Sequence, residues 1–319
     1  MVLVPITNRA VELAELGTNY HGYIAASRSA NTIRSYRVGW DQFTAWCERH
    51  GVQALPAHPE TVALYVTDIA SSVKPATIDA RLAAISAAHR AAGYEESPTK
   101  AEAVRLVRRG VRVKHSTAQR QVRPISVPDL RKMVGALGDD LAGHRDRALL
   151  LIGFAGALRR SELVALDAAD AVTGQHGLTV TLRRSKTDQE GQGRTVGIPF
   201  GANPATCPVR AWQTWIEASG ITEGPAFRPV DRHGHIGTAR LTGQSVAHIV
   251  KRHALRAGLC PEQVAGHSLR AGLATSAAEA GVPERVIANT TVHKGTAMLR
   301  RYIREGSLFR ENAAAEVGL

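Results

Sequence analysis

The stretch GLTVTLRRSKTDQEGQGRTVGIPF, residues 177–200, is where this chain changes its period. Leu178, Val180 and Leu182 alternate with polar residues, and Val196 and Ile198 do the same. A period of two marks strands that bury one face. The polar, glycine-rich run from Lys186 to Gly193 between them predicts a β-hairpin with Lys186 at its tip, and a third strand is expected near Ala171.

Outward from the hairpin the period is helical. On the N-terminal side, Ile33, Tyr36, Trp40, Phe43 and Trp46 recur three and four apart behind a cap at Asn31 or Thr32. A second helix follows Pro59, a third follows Pro75 through Ile78, Leu82, Ile85 and His89, and a fourth covers Lys100–Val113. With an arm or short leading helix over residues 1–19, this makes an all-α unit of four to five helices. The polar run His115–Pro124 reads as a linker. Beyond it Ser126-Val-Pro-Asp129 opens a helix, and the apolar stretch Arg145–Ala157 forms a central core helix. After the hairpin, helices are expected at Pro208–Ala218, Gly243–Arg256, Ser268–Ala280, Pro283–Asn289, Thr296–Arg304 and Phe309–Val317. The fold class is therefore mainly α, with a small antiparallel β-sheet in an α+β second domain. The expected division is 1–115, a linker at 116–124, and 125–319.

The chain has 319 residues, 40 Lys+Arg against 28 Asp+Glu, and a formal net charge of +12. Two domains with their own cores are expected at this length. Only seven of the basic residues are lysine and alanine is abundant, a pattern that codon bias can produce, so arginine excess alone is weak evidence. Net charge of this size still attracts a polyanion, above all nucleic acid. Seven bases (Arg105, Arg108, Arg109, Arg112, Lys114, Arg120 and Arg123) fall between 105 and 123 with no acid among them. The plain alternative is a solvated helix face and tail; the reading favoured is a strap that tracks DNA phosphates at the domain junction.

Several classes are excluded. The longest apolar run, Ala148–Leu158, is 11 residues and too short to span a bilayer. No secretion signal opens the chain. Cys47, Cys207 and Cys260 offer no CxxC pair, which argues against a disulfide scaffold or a cysteine zinc site and fits a reducing cytoplasm. Lys294-Gly-Thr296 lacks the glycines of a P-loop, and neither HExxH nor a DxD cluster is present. His233-Gly-His235 reads as an exposed pair in a polar loop. Phosphate chemistry here falls to organic side chains, with no metal and no other cofactor.

Such side chains gather in the second domain. Of six tyrosines, Tyr302 alone lies beyond residue 120, flanked by Arg300, Arg301 and Arg304. Cationic surroundings favour a phenolate, the form in which a group of pKa about 10 becomes nucleophilic. His267-Ser-Leu-Arg270 puts an imidazole and a guanidinium on one helix face. Arg159 follows the core helix with Glu162 one turn on, a carboxylate able to hold its fork.

Arg159, Lys186, His267-x-x-Arg270, His293 and Tyr302, in that order and spacing, resemble the signature of the tyrosine recombinase (phage integrase) family. Ser29-Ala-Asn-Thr-Ile-Arg34 and Thr77-Ile-Asp-Ala-Arg-Leu82 resemble the core-binding domain of its Cre-type members, so the resemblance covers almost the whole chain. It implies a two-domain clamp on double-stranded DNA with inverted-repeat core sites. Tyr302 would attack the scissile phosphate, Arg159 and Arg270 would grip its oxygens, and Lys186 would protonate the leaving oxygen. His267 would assist proton transfer from Tyr302, His293 would donate to the phosphate, and Glu162 would orient Arg159. The segment beyond Tyr302 would dock in a neighbouring subunit to build a homotetramer on DNA, in the bacterial cytoplasm at the nucleoid. Integration, excision and resolution of a mobile element all use this chemistry, and no room for a further arm-binding domain is expected in the first 20–30 residues. Two positions depart from the pattern: Val292 stands where the family usually has glycine, and Ala271-Gly272 follows Arg270 where it often has histidine. Two other readings stand beside the recombinase: a DNA-binding protein without the chemistry, and a type IB topoisomerase.

Overall fold

The computed structural model describes residues 28–115, 122–183, 193–292 and Tyr302. The chain falls into two compact units, divided between Arg120 and Gln121.

In the first unit, α1 (Ala30–His50) starts at Ser29, whose hydroxyl accepts the Thr32 N–H at 3.2 Å. α2 (Pro59–Ile69) and α3 (Pro75–Ala91) both begin on proline, which is preorganised for a first turn and has no N–H to leave unpaired. α4 is Glu102–Lys114. α1 packs on α3 and α2 on α4 around Phe43, Val62, Val66, Ile78, Ile85 and Val104, all essentially without solvent contact. Burying each large apolar side chain contributes about 1.5–3 kcal/mol relative to exposure. Two polar groups in this core are satisfied. Trp46 donates its indole N–H to Asp68 Oδ2 at 2.9 Å, and His89 Nε2 accepts the Ala57 N–H at 2.9 Å. His89 is therefore a structural histidine.

In the second unit, α5 (Val127–Gly135) is capped by Ser126, whose Oγ accepts the Asp129 N–H at 3.2 Å. α6 (Leu141–Ala155) is buried along most of its length, its apolar half at 148–155 following the charged turn at 144–147, and it runs through the middle of the core. A short α7 (Arg160–Ala165) leads into β1 (Ala171–Gly174), β2 (Gly177–Leu182) and β3 (Arg194–Pro199), an antiparallel sheet in sequence order. Leu178 pairs with Ile198, Val180 with Val196 and Leu182 with Arg194. The expected alternation is there: Leu178, Val180, Leu182, Val196 and Ile198 are all buried. α8 (Pro208–Ser219), α9 (Gly243–Arg256), α10 (Ser268–Glu279) and α11 (Glu284–Thr291) complete the described elements.

Two features fix α10 and α6. The Ile125 N–H donates to Ser268 O at 3.1 Å, and Gly272 lies so close below that a Cβ there would stand 2.1 Å from Ile125 O. On the other side of α6, buried Asp146 accepts from Arg145 Nη2 at 2.8 Å, Arg252 Nη2 at 2.6 Å and His253 Nε2 at 2.7 Å, which ties α6 to α9. Among the described residues no helix is long and apolar enough to cross a membrane.

Candidate active site

α6 ends with a sharp turn. Ala157 takes φ 47°, Leu158 is buried, and Arg159 becomes the N-cap of α7 in extended geometry. Glu162, at the third position of that helix, reaches back: its Oε2 accepts the Arg159 backbone N–H at 2.9 Å. Its Oε1 accepts Arg159 Nη1 at 2.6 Å, a short bond between two charged groups. The Glu162 side chain has no exposed surface. Burying a carboxylate is costly unless it is closely paired, and both oxygens of this one have partners. The expected pairing of Arg159 with Glu162 is thus present, with the Arg159 side chain still 18% exposed.

Arg270 is 1% exposed and has a different kind of support. Its Nη1 donates to Ala157 O at 2.7 Å and its Nη2 to Thr291 O. Both acceptors are main-chain carbonyls beside a left-handed turn: Ala157 itself, and Val292 at φ 45° just after Thr291. Burial first, and then the positive charge of Arg159, push Arg270 down to about 10. It remains a cation at neutral pH, but an under-compensated one. Arg159, Arg194 and Arg270 bear on one another around the single carboxylate of Glu162. Such a cluster is completed by an anion, and a phosphate has the oxygens to meet planar guanidinium forks.

His267 is the N-cap of α10, with Arg270 one turn on. Its Nε2 is 2.9 Å from Tyr302 Oη. The Tyr302 ring is 7% exposed in a small cluster with Ala271, Ala274, Ala278 and Ile287. The alanines of α10 make the groove that seats the ring and aim its hydroxyl at the helix start. Arg270 lies close enough to Tyr302 for a phenolate there to raise the arginine's proton affinity, so the favourable interaction is mutual.

Arg159, His267, Arg270, Tyr302 and the supporting Glu162 therefore come together. Lys186, His293 and the arginines around Tyr302 lie outside the described residues, as does Arg120. Arg105, Arg108, Arg109, Arg112 and Lys114 all lie on α4 in the first unit, and Arg123 belongs to the second. The acids missing from this segment arrive from elsewhere. Asp79 accepts Arg108 Nε and Arg112 Nη2, each at 2.6 Å, Arg105 pairs with Glu102, and Arg123 pairs with Asp129 at 3.0 Å. Arg109 and Lys114 have no carboxylate partner among the described residues. His235 pairs with Asp231 in the polar loop, and no group of three metal-ligating side chains occurs among the described residues.

One residue that sequence reasoning missed is Arg194. Its Nη2 lies 3.3 Å from Glu162 Oε2. The signal was available: period two places Arg194 on the same strand face as Val196 and Ile198, and a charge on a buried face needs a partner.

The arrangement is a tyrosine hydroxyl in contact with an imidazole, set beside two arginines. Residues 123–307 match the phage integrase family, and the chain belongs to that family, the tyrosine recombinases. An integrase/recombinase XerD homolog of Selenomonas ruminantium is 39% identical over 290 residues, 90% of this chain and 85% of that protein. The tyrosine recombinase XerD of Yersinia pestis is 25% identical, over 83% of each chain. Among solved structures, a lambda integrase(75-356) dimer bound to a COC' core site superimposes with a TM-score of 0.59 at 17% identity, covering 92% of this chain and 96% of that one. XerH recombinase bound to a palindromic difH substrate also gives 0.59, at 15% identity, over 92% of this chain and 80% of the other. At such identities the two structures speak for the fold.

Proposed function

We propose that this tyrosine site-specific recombinase cuts and rejoins double-stranded DNA through Tyr302, and that Arg159 and Arg270 bind the scissile phosphate. The observation that carries the assignment is the 2.9 Å approach of Tyr302 Oη to His267 Nε2 at the edge of the arginine cluster. His267 takes the phenolic proton as the tyrosine oxygen attacks phosphorus in line. The two guanidiniums neutralise charge on the non-bridging oxygens of the pentavalent transition state. The bond to the 5′ oxygen breaks, Lys186 supplies the proton for the leaving hydroxyl, and a 3′-phosphotyrosyl link remains. His293 donates a hydrogen bond to the phosphate, and Glu162 orients Arg159. The covalent link keeps the energy of the broken phosphodiester, so a 5′-hydroxyl from a partner duplex reverses the step through a Holliday junction.

The relatives' names and the DNA-bound recombinases among the structural neighbours support DNA as the partner. The bases from Arg105 to Arg123 serve as phosphate contacts, the target is a pair of inverted core repeats, and the segment after Tyr302 docks in trans to close a homotetramer. Integration, excision or resolution of a mobile element, at the nucleoid of a bacterial cytoplasm, is the setting this activity suits.

A nicked suicide duplex tests the chemistry. The wild-type chain should form a covalent adduct that resists denaturation, and Tyr302→Phe should bind the duplex and form none. An adduct in Tyr302→Phe would remove the nucleophile assignment. Binding without any adduct would favour the non-catalytic DNA-binding protein, and relaxation of supercoils without sequence preference or strand exchange the topoisomerase.

A further inference from the structure

We propose that Arg194 is a positioning residue for the cleavage step, acting on Arg159 through their shared carboxylate, Glu162, and fastening the base of the β-hairpin to the phosphate-gripping arginine. The inference rests on Arg159 being a phosphate ligand of the recombinase site.

Arg194 opens β3 opposite Leu182, on the strand face that buries Val196 and Ile198. Its side chain is only 17% exposed, which is costly for a guanidinium without compensation. The compensation is Glu162. Arg159 occupies Oε1 and sends its backbone N–H to Oε2, and Arg194 takes a remaining direction on Oε2. One buried carboxylate thus joins a catalytic arginine, the N-terminus of a helix and the first residue of a strand.

The contact is incompletely engaged. At 3.3 Å it is longer than the 2.7–2.9 Å usual for charge-assisted bonds, and Arg194 Nε is buried with no hydrogen-bond partner. A guanidinium with a spare donor beside Glu162 can hold that carboxylate while Arg159 turns some of its own donors toward a phosphate. Glu162 then never faces the interior unpaired. The charges of Arg159 and Arg194 also add to the burial that depresses Arg270, so both belong to one electrostatic unit. Lys186 lies eight residues before Arg194 in the same hairpin connection, so what fixes Arg194 fixes one root of that connection.

The test is single-turnover cleavage of the suicide duplex alongside DNA binding and thermal melting. Arg194→Met keeps an apolar stem on the buried face and removes the charge. It should slow adduct formation roughly 10- to 100-fold, in the range seen when supporting partners of a site are lost, with DNA affinity unchanged. Arg194→Lys, which restores one donor for Glu162, should recover most of the rate. If Arg194 acts through Glu162, the double variant Arg194→Met/Glu162→Gln should cleave no more slowly than Glu162→Gln alone. Wild-type cleavage by Arg194→Met, fully multiplicative losses in the double variant, or parallel loss of binding and melting temperature in Met and Lys variants alike would each overturn the inference alone. Absence of an adduct from the wild-type chain would overturn the recombinase reading and this inference together.

Discussion

Val292 carries a β-carbon at φ 45°, ψ 59°, the left-handed region that glycine enters freely and β-branched residues resist. The turn it makes sets the direction of Thr291 O, one of the two acceptors that hold Arg270. The family resemblance leads one to expect glycine here, and these dihedral angles are ones that glycine takes without strain. Val292→Gly should relieve about 1–2 kcal/mol of backbone strain, against an added unfolded-chain entropy of about 0.5–1 kcal/mol. A small net gain follows: a thermal melt should rise by a few degrees with adduct formation retained. A lower melting temperature would show that the turn depends on the valine side chain. At this scale the sequence was a good guide to which residues meet and a poor one to how they are held. His267 and Arg270 could be paired from a helical repeat, and Glu162 with Arg159 from one turn of helix. Nothing local announces that Arg270 bonds to carbonyls 113 and 21 residues away.

Between elements, a deeply buried polar tie is Asp146, which joins α6 to α9 with a side chain 2% exposed. Burial alone would raise its carboxyl. The hydrogen bond from His253 and the charge and hydrogen bonds of Arg145 outweigh that, and it titrates below the usual range. A carboxyl depressed in the folded state contributes stability that is fully present above its unfolded value near 4, and that is lost as pH falls through the lower folded value. Asp146→Asn should cost about 3–5 kcal/mol, since it strands a buried arginine. Urea midpoints taken from pH 7 to pH 2 should show the variant weaker at neutral pH and less sensitive to acid than the wild type. Equal slopes would mean that other carboxylates carry the acid response. Elements of this size were largely legible. Prolines 59, 75 and 208 mark three helix starts, and the alternating hairpin strands stand where expected. At Arg160–Ala165 only the single turn from Arg159 to Glu162 was legible, because six residues are too few to show a helical repeat. The Asp146 tie was not foreseen, since its partners are 106 and 107 residues away.

At the scale of the molecule, a formal charge of +12 is distributed very unevenly. Asp79 and Glu102 neutralise much of the α4 row, leaving exposed Arg109 and Lys114 as its cations without an acidic partner among the described residues. Counting bases in the sequence could not reveal this, because Asp79 belongs to another helix. DNA affinity should fall steeply with salt, about 0.9 log unit per log unit of salt for each phosphate neutralised. The double variant Arg109→Ala/Lys114→Ala should weaken binding to specific and random duplexes alike and lower the salt slope by about 2. Selective loss for one sequence would make these residues base readers.

The main-chain grip on Arg270 also bears on how this protein can change over generations. A side-chain partner is lost by altering one codon, whereas a carbonyl survives nearly every replacement of the residue that bears it. What holds Arg270 is the path of the chain at Ala157 and at Thr291. Point substitutions at those sites leave both acceptors in being, while inserting or deleting a single residue beside either one moves an oxygen out of reach. The lesions most dangerous to this cluster are therefore shifts in chain length within two short stretches, which conventional substitution scans never sample.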